Sequence, residues 1–258
     1  MKRLHLFEWE DQPWFPKTLR DLMTDYLRHV VGVFKMHEPV VPLLSEVLTK
    51  TKAQAIVDLA SGGGGPWPLL APALRESHPD LKVLLTDLYP NLEALESVRA
   101  SLPDAFEVRQ KSVDALQVPQ ELEGLRTQFL SLHHFEPAQV RGIFENAIRA
   151  RQPIAVFEFQ QRTVAHLVQF ALSPIFVLLL SWFIRPFSWK RLLWTYLIPV
   201  IPLLILWDGV VSVLRTYTPE EVREILDSIP EAASYEWDVG VEKVGQVTVF
   251  RCIGRPLD

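Results

Sequence analysis

The sequence predicts an α/β fold with seven strands, mostly parallel, closed by an antiparallel hairpin, and three observations predict it. From Ala55 onward short apolar runs alternate with amphipathic helical stretches, as βαβ units require. Four glycines follow the first apolar run, where a strand hands over to a helix. The last two apolar runs lie too close together to be anything but antiparallel neighbours. Together these describe a Rossmann-like sheet, to which the chain adds N-terminal helices and a hydrophobic helical insertion.

Ahead of the sheet, residues 16–36 read as a helix. Leu19, Leu22, Met23, Tyr26, Leu27, Val30, Val31 and Phe34 recur at spacings of three and four and make one apolar stripe. Pro16 suits the first turn, where its missing N–H costs nothing. A shorter helix over 40–49 turns Val40, Leu43, Leu44, Val47 and Leu48 inward. The first strand, 55–60, runs into Ser61 and the glycines, and a helix over 67–77 follows. The second strand is 82–87, after which Asn91 caps another helix. Residues 106–109 form a weak third strand, 128–132 a fourth, 137–150 a helix and 154–159 a fifth strand. Thr218, Pro219 and Glu221 make a capping box before one more helix. The chain closes with strands at 235–239 and 247–252. The expected division is an N-terminal helical cap (1–52), a Rossmann-like core (53–159 and 218–258) and a hydrophobic insertion (160–217).

With 48% hydrophobic and 22% charged residues, the 258-residue chain can fill a full-sized core. A net charge of −5 speaks against a general nucleic-acid binder, which needs surplus Lys and Arg, so no nucleic-acid partner is expected. Cys252 is the single cysteine, which rules out an intrachain disulfide, and no Cys/His spacing marks a metal site, so no metal is expected. Glu8, Glu10 and Asp11 interrupt the start before an apolar signal core can form, and the folded body reads as cytoplasmic.

The stretch Asp58-Leu59-Ala60-Ser61-Gly62-Gly63-Gly64-Gly65 lies at the carboxyl edge of the sheet, where open α/β sheets bind ligands. A glycine loop alone serves dinucleotides and nucleoside phosphates too. Two prolines narrow the choice. Pro66 and Pro68 stand where the next helix begins and offer no N–H to a diphosphate. Trp67 takes the third glycine position of a G-x-G-x-x-G reading begun at Gly62, and no G-K-[ST] follows. A nucleoside without phosphates fits better. Asp87 ends the second strand, where a carboxylate can accept both ribose hydroxyl protons or simply close a turn.

On these residues the sequence resembles the class I methyltransferase family, which uses S-adenosylmethionine. The resemblance is carried by Asp58-Leu59-Ala60-Ser61-Gly62-Gly63-Gly64, by Leu85-Thr86-Asp87, by Ser112-Val113-Asp114-Ala115-Leu116 before Pro119, and by Leu130-Ser131-Leu132-His133-His134-Phe135. It covers roughly 53–159 and 218–258. It implies S-adenosylmethionine as cofactor, with Asp58, Ala60, Ser61, Gly62 and Gly64 around the methionine part, Asp87 at the ribose and Asp114 at the adenine amino group. Leu88, Ala115 and Leu132 are further pocket residues by the same resemblance. Ala60 stands where the family usually has glycine. No Asn/Asp-Pro-Pro-Tyr follows the fourth strand, so the family's nucleic-acid and glutamine amino-methylating enzymes fit less well. His133 and His134 either supply a general base or cofactor contact, or only pack. A base is not required, because methyl transfer often needs alignment alone.

Residues 164–184 carry no formal charge, a length sufficient for a membrane helix. A second apolar run, 192–207, is interrupted by Pro199 and Pro202, and Arg185-Pro186-Phe187-Ser188-Trp189-Lys190-Arg191 joins the two. The pair reads as a membrane hairpin or as a buried lid. Both ends return to one sheet, so a full crossing would export three cations against the positive-inside tendency. A shallow insertion sets them among anionic headgroups instead. The expected location is the cytoplasmic face of a membrane, or the cytoplasm for a lid. The insertion leaves the sheet beside the cofactor edge, a location that in the resembled family often builds the acceptor pocket, so the expected acceptor is apolar: a lipid, an isoprenoid or quinone-like ring, or another hydrophobic small molecule. Asp208, Arg215 and Tyr217 either orient it or serve as a turn and an interfacial anchor. Residues 8–15 mix Glu8, Glu10 and Asp11 with Trp9, Trp14 and Phe15, and form either a lid over the cofactor mouth or a strap. Two other functions stay open. A nicotinamide-dependent oxidoreductase is opposed by Pro66, Trp67, Pro68 and the terminal hairpin. A non-enzymatic membrane-bound module is opposed by the intact Asp58, Asp87 and Asp114.

Overall fold

The computed structural model describes residues 1–245 and 247–257. Strands β1 (Ala55–Asp58), β2 (Lys82–Leu85), β3 (Phe106–Val108), β4 (Leu125–Phe129), β5 (Ile154–Glu158), β6 (Tyr235–Val244) and β7 (Val247–Pro256) form one sheet in the order β3-β2-β1-β4-β5-β7-β6. The first five are parallel, and β7 lies antiparallel between β5 and β6. The strand order reverses at β1, with β2 on one side and β4 on the other. The crevice beyond their carboxyl ends is therefore the place such sheets offer a ligand.

The helices are α1 (Lys17–Val33), α2 (Val40–Thr51), α3 (Trp67–Arg75), α4 (Leu92–Ser101), α5 (Pro137–Arg149), α6 (Val164–Ala171), α7 (Ser173–Leu180), α8 (Trp189–Leu192), α9 (Val200–Arg215) and α10 (Pro219–Asp227). One face of the sheet buries Leu44, Trp67, Leu74 and Leu95 of α2, α3 and α4 against Val83, Leu85 and Phe157. The other buries Phe144, Ile148, Val222 and Leu226 of α5 and α10 against Val57, Val156 and Phe250. A third apolar cluster joins α1 to the insertion, where Leu22, Met23 and Tyr26 meet Val177, Ile201 and Ile205. The N-terminal helix and the insertion thus share one core beside the sheet.

Local chemistry explains the boundaries. Asn91 accepts the Ala94 N–H at the start of α4, and Thr218 and Glu221 exchange both bonds of a capping box at α10. The structure corrects the sequence in three places. The fourth strand begins at Leu125 and ends at Phe129 rather than spanning 128–132, because polar Arg126, Thr127 and Gln128 are wholly buried within it. The terminal strands extend to a tight turn, with Val244 opposite Val247, and Gly240 lies inside β6 with the Arg251 guanidinium over it. The uncharged run 164–184 is not one helix. It breaks between α6 and α7, which meet at 43° with Pro174 in the first turn of α7, and the second run bends by 79° ahead of α9, at Pro199. Among the described residues no single helix is long and apolar enough to cross a membrane, although each bent pair together has the length and composition for it.

Candidate active site

The loop after β1 is held from below. Asp58 is buried; its Oδ2 accepts the Ser61 hydroxyl at 2.6 Å and its Oδ1 accepts the Thr127 hydroxyl at 2.6 Å. Burial pushes its carboxyl up to about 7, against the pull of these two hydrogen bonds. Asp58 therefore braces the bend and ties β1 to β4. The bend itself needs left-handed backbone at Ala60 (φ 59°), Gly62 (53°) and Gly64 (93°). Gly64 has no alternative, because a Cβ there would sit 2.6 Å from Val98 of α4. Ala60 adopts a conformation that costs an L-residue about 1–2 kcal/mol, so the departure from glycine leaves the turn intact.

Asp87, half-buried beyond β2, accepts the Gly62 N–H through Oδ2 and the Tyr89 N–H through Oδ1, both at 2.8 Å. Each oxygen keeps a further lone pair. Asp114 accepts the Leu116 N–H at 2.9 Å. Leu88 is exposed, whereas Ala115 and Leu132 are buried in the cluster that includes Val57 and Leu59. At the start of α3, Pro66 and Pro68 have no N–H and the Trp67 N–H is bonded to the Gly64 carbonyl. These residues offer nothing to a diphosphate, and they fit an adenosyl group without phosphates.

A second feature lies at the ends of β4 and β5. His133 and His134 occupy a short 3₁₀ turn (Leu132–His134) just after β4, and Glu158 is the last residue of β5. His133 Nδ1 lies 3.0 and 3.1 Å from the two Glu158 oxygens, and Gln160 donates to Glu158 at 3.0 Å. A carboxylate only accepts, so Nδ1 carries a proton and donates it to Glu158, and Nε2 is the ring nitrogen outside that pair. That nitrogen is 3.9 Å from Glu8 of the N-terminal segment. His134 Nδ1 lies 2.7 Å from Asp11 and 3.4 Å from Glu8. Burial opposes charge on His134, but Glu8 and Asp11 outweigh it and push the ring up to about 10. Arg215 closes the cluster, 2.6 Å from Asp11 and 3.3 Å from Glu8, and also donates to the His133 and His134 carbonyls. Together with His134, Arg215 holds Asp11 well below the usual carboxylate range despite its burial.

One donor atom from each of Glu8, His133 and His134 lies within 4.8 Å of the others, a set able to take a cation. The sequence shows no such spacing because the donors come from separate segments. Arg215 and the proton on His134 already supply positive charge there. The other two candidates for orienting an acceptor spend their polar atoms on the protein. Asp208 accepts the Trp9 and Glu10 N–H groups at 2.9 and 3.3 Å, and Tyr217 donates to the Phe135 carbonyl at 2.8 Å beneath Arg3. The N-terminal segment is thereby strapped along α9. Glu158 went unnoticed in the sequence, where its one signal is an acid ending an otherwise apolar strand.

No family model matches the sequence, and no curated protein matches it. Solved structures do. A putative O-methyltransferase from Nostoc punctiforme superposes with a TM-score of 0.54 at 15% identity, over 98% of this chain and 64% of that one. PigF with SAH gives 0.50 at 18% identity, over 95% and 63%. The methyltransferase domain of bacterial CtHen1 gives 0.50 at 11% identity, over 85% of this chain and 99% of that one. The chain spans slightly less than two thirds of the first two proteins. The likeness is one of fold: the chain has the class I methyltransferase fold, a seven-stranded mixed sheet with an antiparallel last hairpin.

Proposed function

We propose that the protein is an S-adenosylmethionine-dependent O-methyltransferase for a hydrophobic small-molecule or lipid-like acceptor, with His133 as general base. The carrying observation is the His133–Glu158 pair at the ends of β4 and β5, adjoining a nucleoside loop unsuited to phosphates. Support for the cofactor comes from that loop and from PigF, a protein of like fold whose structure was determined with SAH.

When bound, S-adenosylmethionine supplies a methyl group already activated on a sulfonium. Asp87 would hold the ribose hydroxyls on its remaining lone pairs, Asp114 would hold the adenine amino group, and the loop from Asp58 to Gly64 would hold the methionine part. The acceptor hydroxyl would give its proton to His133 Nε2 as its oxygen takes the methyl group, the S–CH3 bond breaking and the neutral thioether SAH leaving. Glu158 fixes the ring through Nδ1–H and stabilises the imidazolium that forms. An apolar acceptor is favoured by the aromatic strap beside the cluster, where Phe7 lies 5.1 Å from Trp9 and 5.3 Å from Trp207, and Trp9 lies 5.9 Å from Trp14.

The test is label transfer. Purified protein is given methyl-labelled S-adenosylmethionine with either an apolar extract or water-soluble phenols. Label should appear as an ether in the apolar fraction and vanish with His133→Ala. Label confined to amines or to water-soluble acceptors refutes the reading.

A further inference from the structure

We propose that the insertion docks the protein on an anionic lipid bilayer, lying in the interface without crossing it. The inference stands on surface chemistry and does not depend on the methyl-transfer reading, though it would give that reaction a lipid source of acceptors. Residues 164–207 contain no Asp or Glu. They also present large apolar side chains outward: Trp189 and Leu197 are each 77% exposed, and Phe183 and Leu203 each 62%. A soluble surface scatters such residues singly, whereas here they occupy successive helices and turns of one insertion.

The turn between the two bent pairs identifies the partner. Trp182, Phe187 and Trp189 form an edge-to-face chain with centroids 6.3 and 5.0 Å apart, the amphipathic aromatic type that favours the headgroup level. Three cations share that turn. Arg191 is buried on Asp25 at 2.9 Å and on the carbonyls of Ile184 and Pro186 at 3.1 Å, which locks the turn to α1. Arg185 and Lys190 stay exposed beside the aromatic chain, where they complement anionic headgroups. A basic, acid-free, aromatic-rich surface fits a lipid interface better than the self-complementary patch a second copy would need.

Depth follows from anchorage. Each bent pair has the length for a crossing, but Arg191 holds the turn between the pairs on Asp25 of α1, which lies beside the glycine loop, so that turn cannot stand on the far side of a bilayer from the sheet. Because α1 also borders the glycine loop, with Arg28 donating to the Gly63 carbonyl at 3.4 Å, docking would hold the candidate active site at a set height above the lipid.

The experiment is flotation of the full chain with vesicles of phosphatidylcholine alone and of phosphatidylcholine with phosphatidylglycerol. The protein should float with the anionic vesicles, and salt at about 0.5 M should weaken this. Arg185→Gln with Lys190→Gln should reduce vesicle affinity by about 30-fold. Trp182→Ser, Phe183→Ser and Trp189→Ser together should abolish it while leaving the thermal melt unchanged, since all three side chains are exposed. Quenching of tryptophan fluorescence by brominated lipid should be lost in the same variant. Failure to float with either vesicle overturns the proposal, and a concentration-dependent dimer in that case assigns the surface to a second copy. Flotation indifferent to these substitutions overturns it equally. SAH binding measured on the same preparation separates failure here from failure of the proposed function.

Discussion

The end of the sheet around His133 and the insertion depart from ordinary burial in opposite directions. The first puts Glu8, Glu158 and Arg215 out of water at 1–2% exposure, while the second leaves tryptophan and leucine in it. Charged residues are almost never fully buried unless paired, and contiguous apolar surface is rarely left open. Each region is made tolerable differently. The buried charges are matched within the chain, acid to Arg215 and to the histidines, so their arrangement is rigid and specific. The exposed apolar surface has no partner among the described residues, and the proposed one is a lipid interface. The proposed chemistry uses the first kind of surface and the proposed docking the second.

Substitutions sharpen that contrast. The largest effect is expected at the buried pair. His133→Ala should lower kcat by about 10²–10⁴-fold in methyl-transfer assays while SAH affinity, measured by calorimetry, stays unchanged. Glu158→Gln keeps a hydrogen bond but loses the charge, and should reduce kcat by at least about tenfold. Next comes stability. Arg215→Ala removes a buried cation from both Glu8 and Asp11, leaving them His134 alone, and should cost about 3–5 kcal/mol in denaturant unfolding. Leu197→Ser in the insertion, where that side chain is exposed, should move the same measurement by no more than about 0.5 kcal/mol. If the two substitutions cost the same, the contrast between the regions fails.

Proton linkage gives a gentler test. His134 is pushed up to about 10, so its stabilisation is complete below its ordinary value and is lost as pH rises towards 10. Asp58, raised to about 7, acts with the same sign but below neutral pH, between its ordinary value and about 7, so the slope above neutral belongs to His134. The melting temperature should therefore fall between neutral pH and pH 10, and His134→Gln should flatten the upper part of that slope. The smallest effect is at the bend: Ala60→Gly relieves left-handed backbone and should stabilise the protein by up to about 1 kcal/mol in the same unfolding measurement.

Much of the fold was legible because local signals agreed with it. The capping residues Asn91 and Thr218, the glycines after β1 and the alternation of apolar runs each mark a boundary that tertiary packing leaves in place. The start of β4 was hidden because two of its polar residues find partners only in the folded chain: Arg126 donates to Asn146 at 2.6 Å, and Thr127 to Asp58. The apolar run 164–184 showed its hydrophobicity but not its breaks, since Pro174 fits a first helical turn and does not announce in the sequence that a new helix starts there. In the candidate site, Asp87 could be read from its place after an apolar strand. The cluster of Glu8, Asp11, Glu158 and Arg215 around the two histidines could not, because four distant segments meet there only through the sheet order.

The central claim, a pocket for an adenosyl group without phosphates at the carboxyl edge, is tested most directly by isothermal titration calorimetry with SAH. The account predicts one site per chain, no heat with NADH, and affinity at least about tenfold weaker in Asp87→Ala, which removes a charged acceptor of the ribose hydroxyls. Absence of SAH binding, NADH competing for the same site, or an Asp87→Ala variant that binds SAH as tightly as the parent would contradict it.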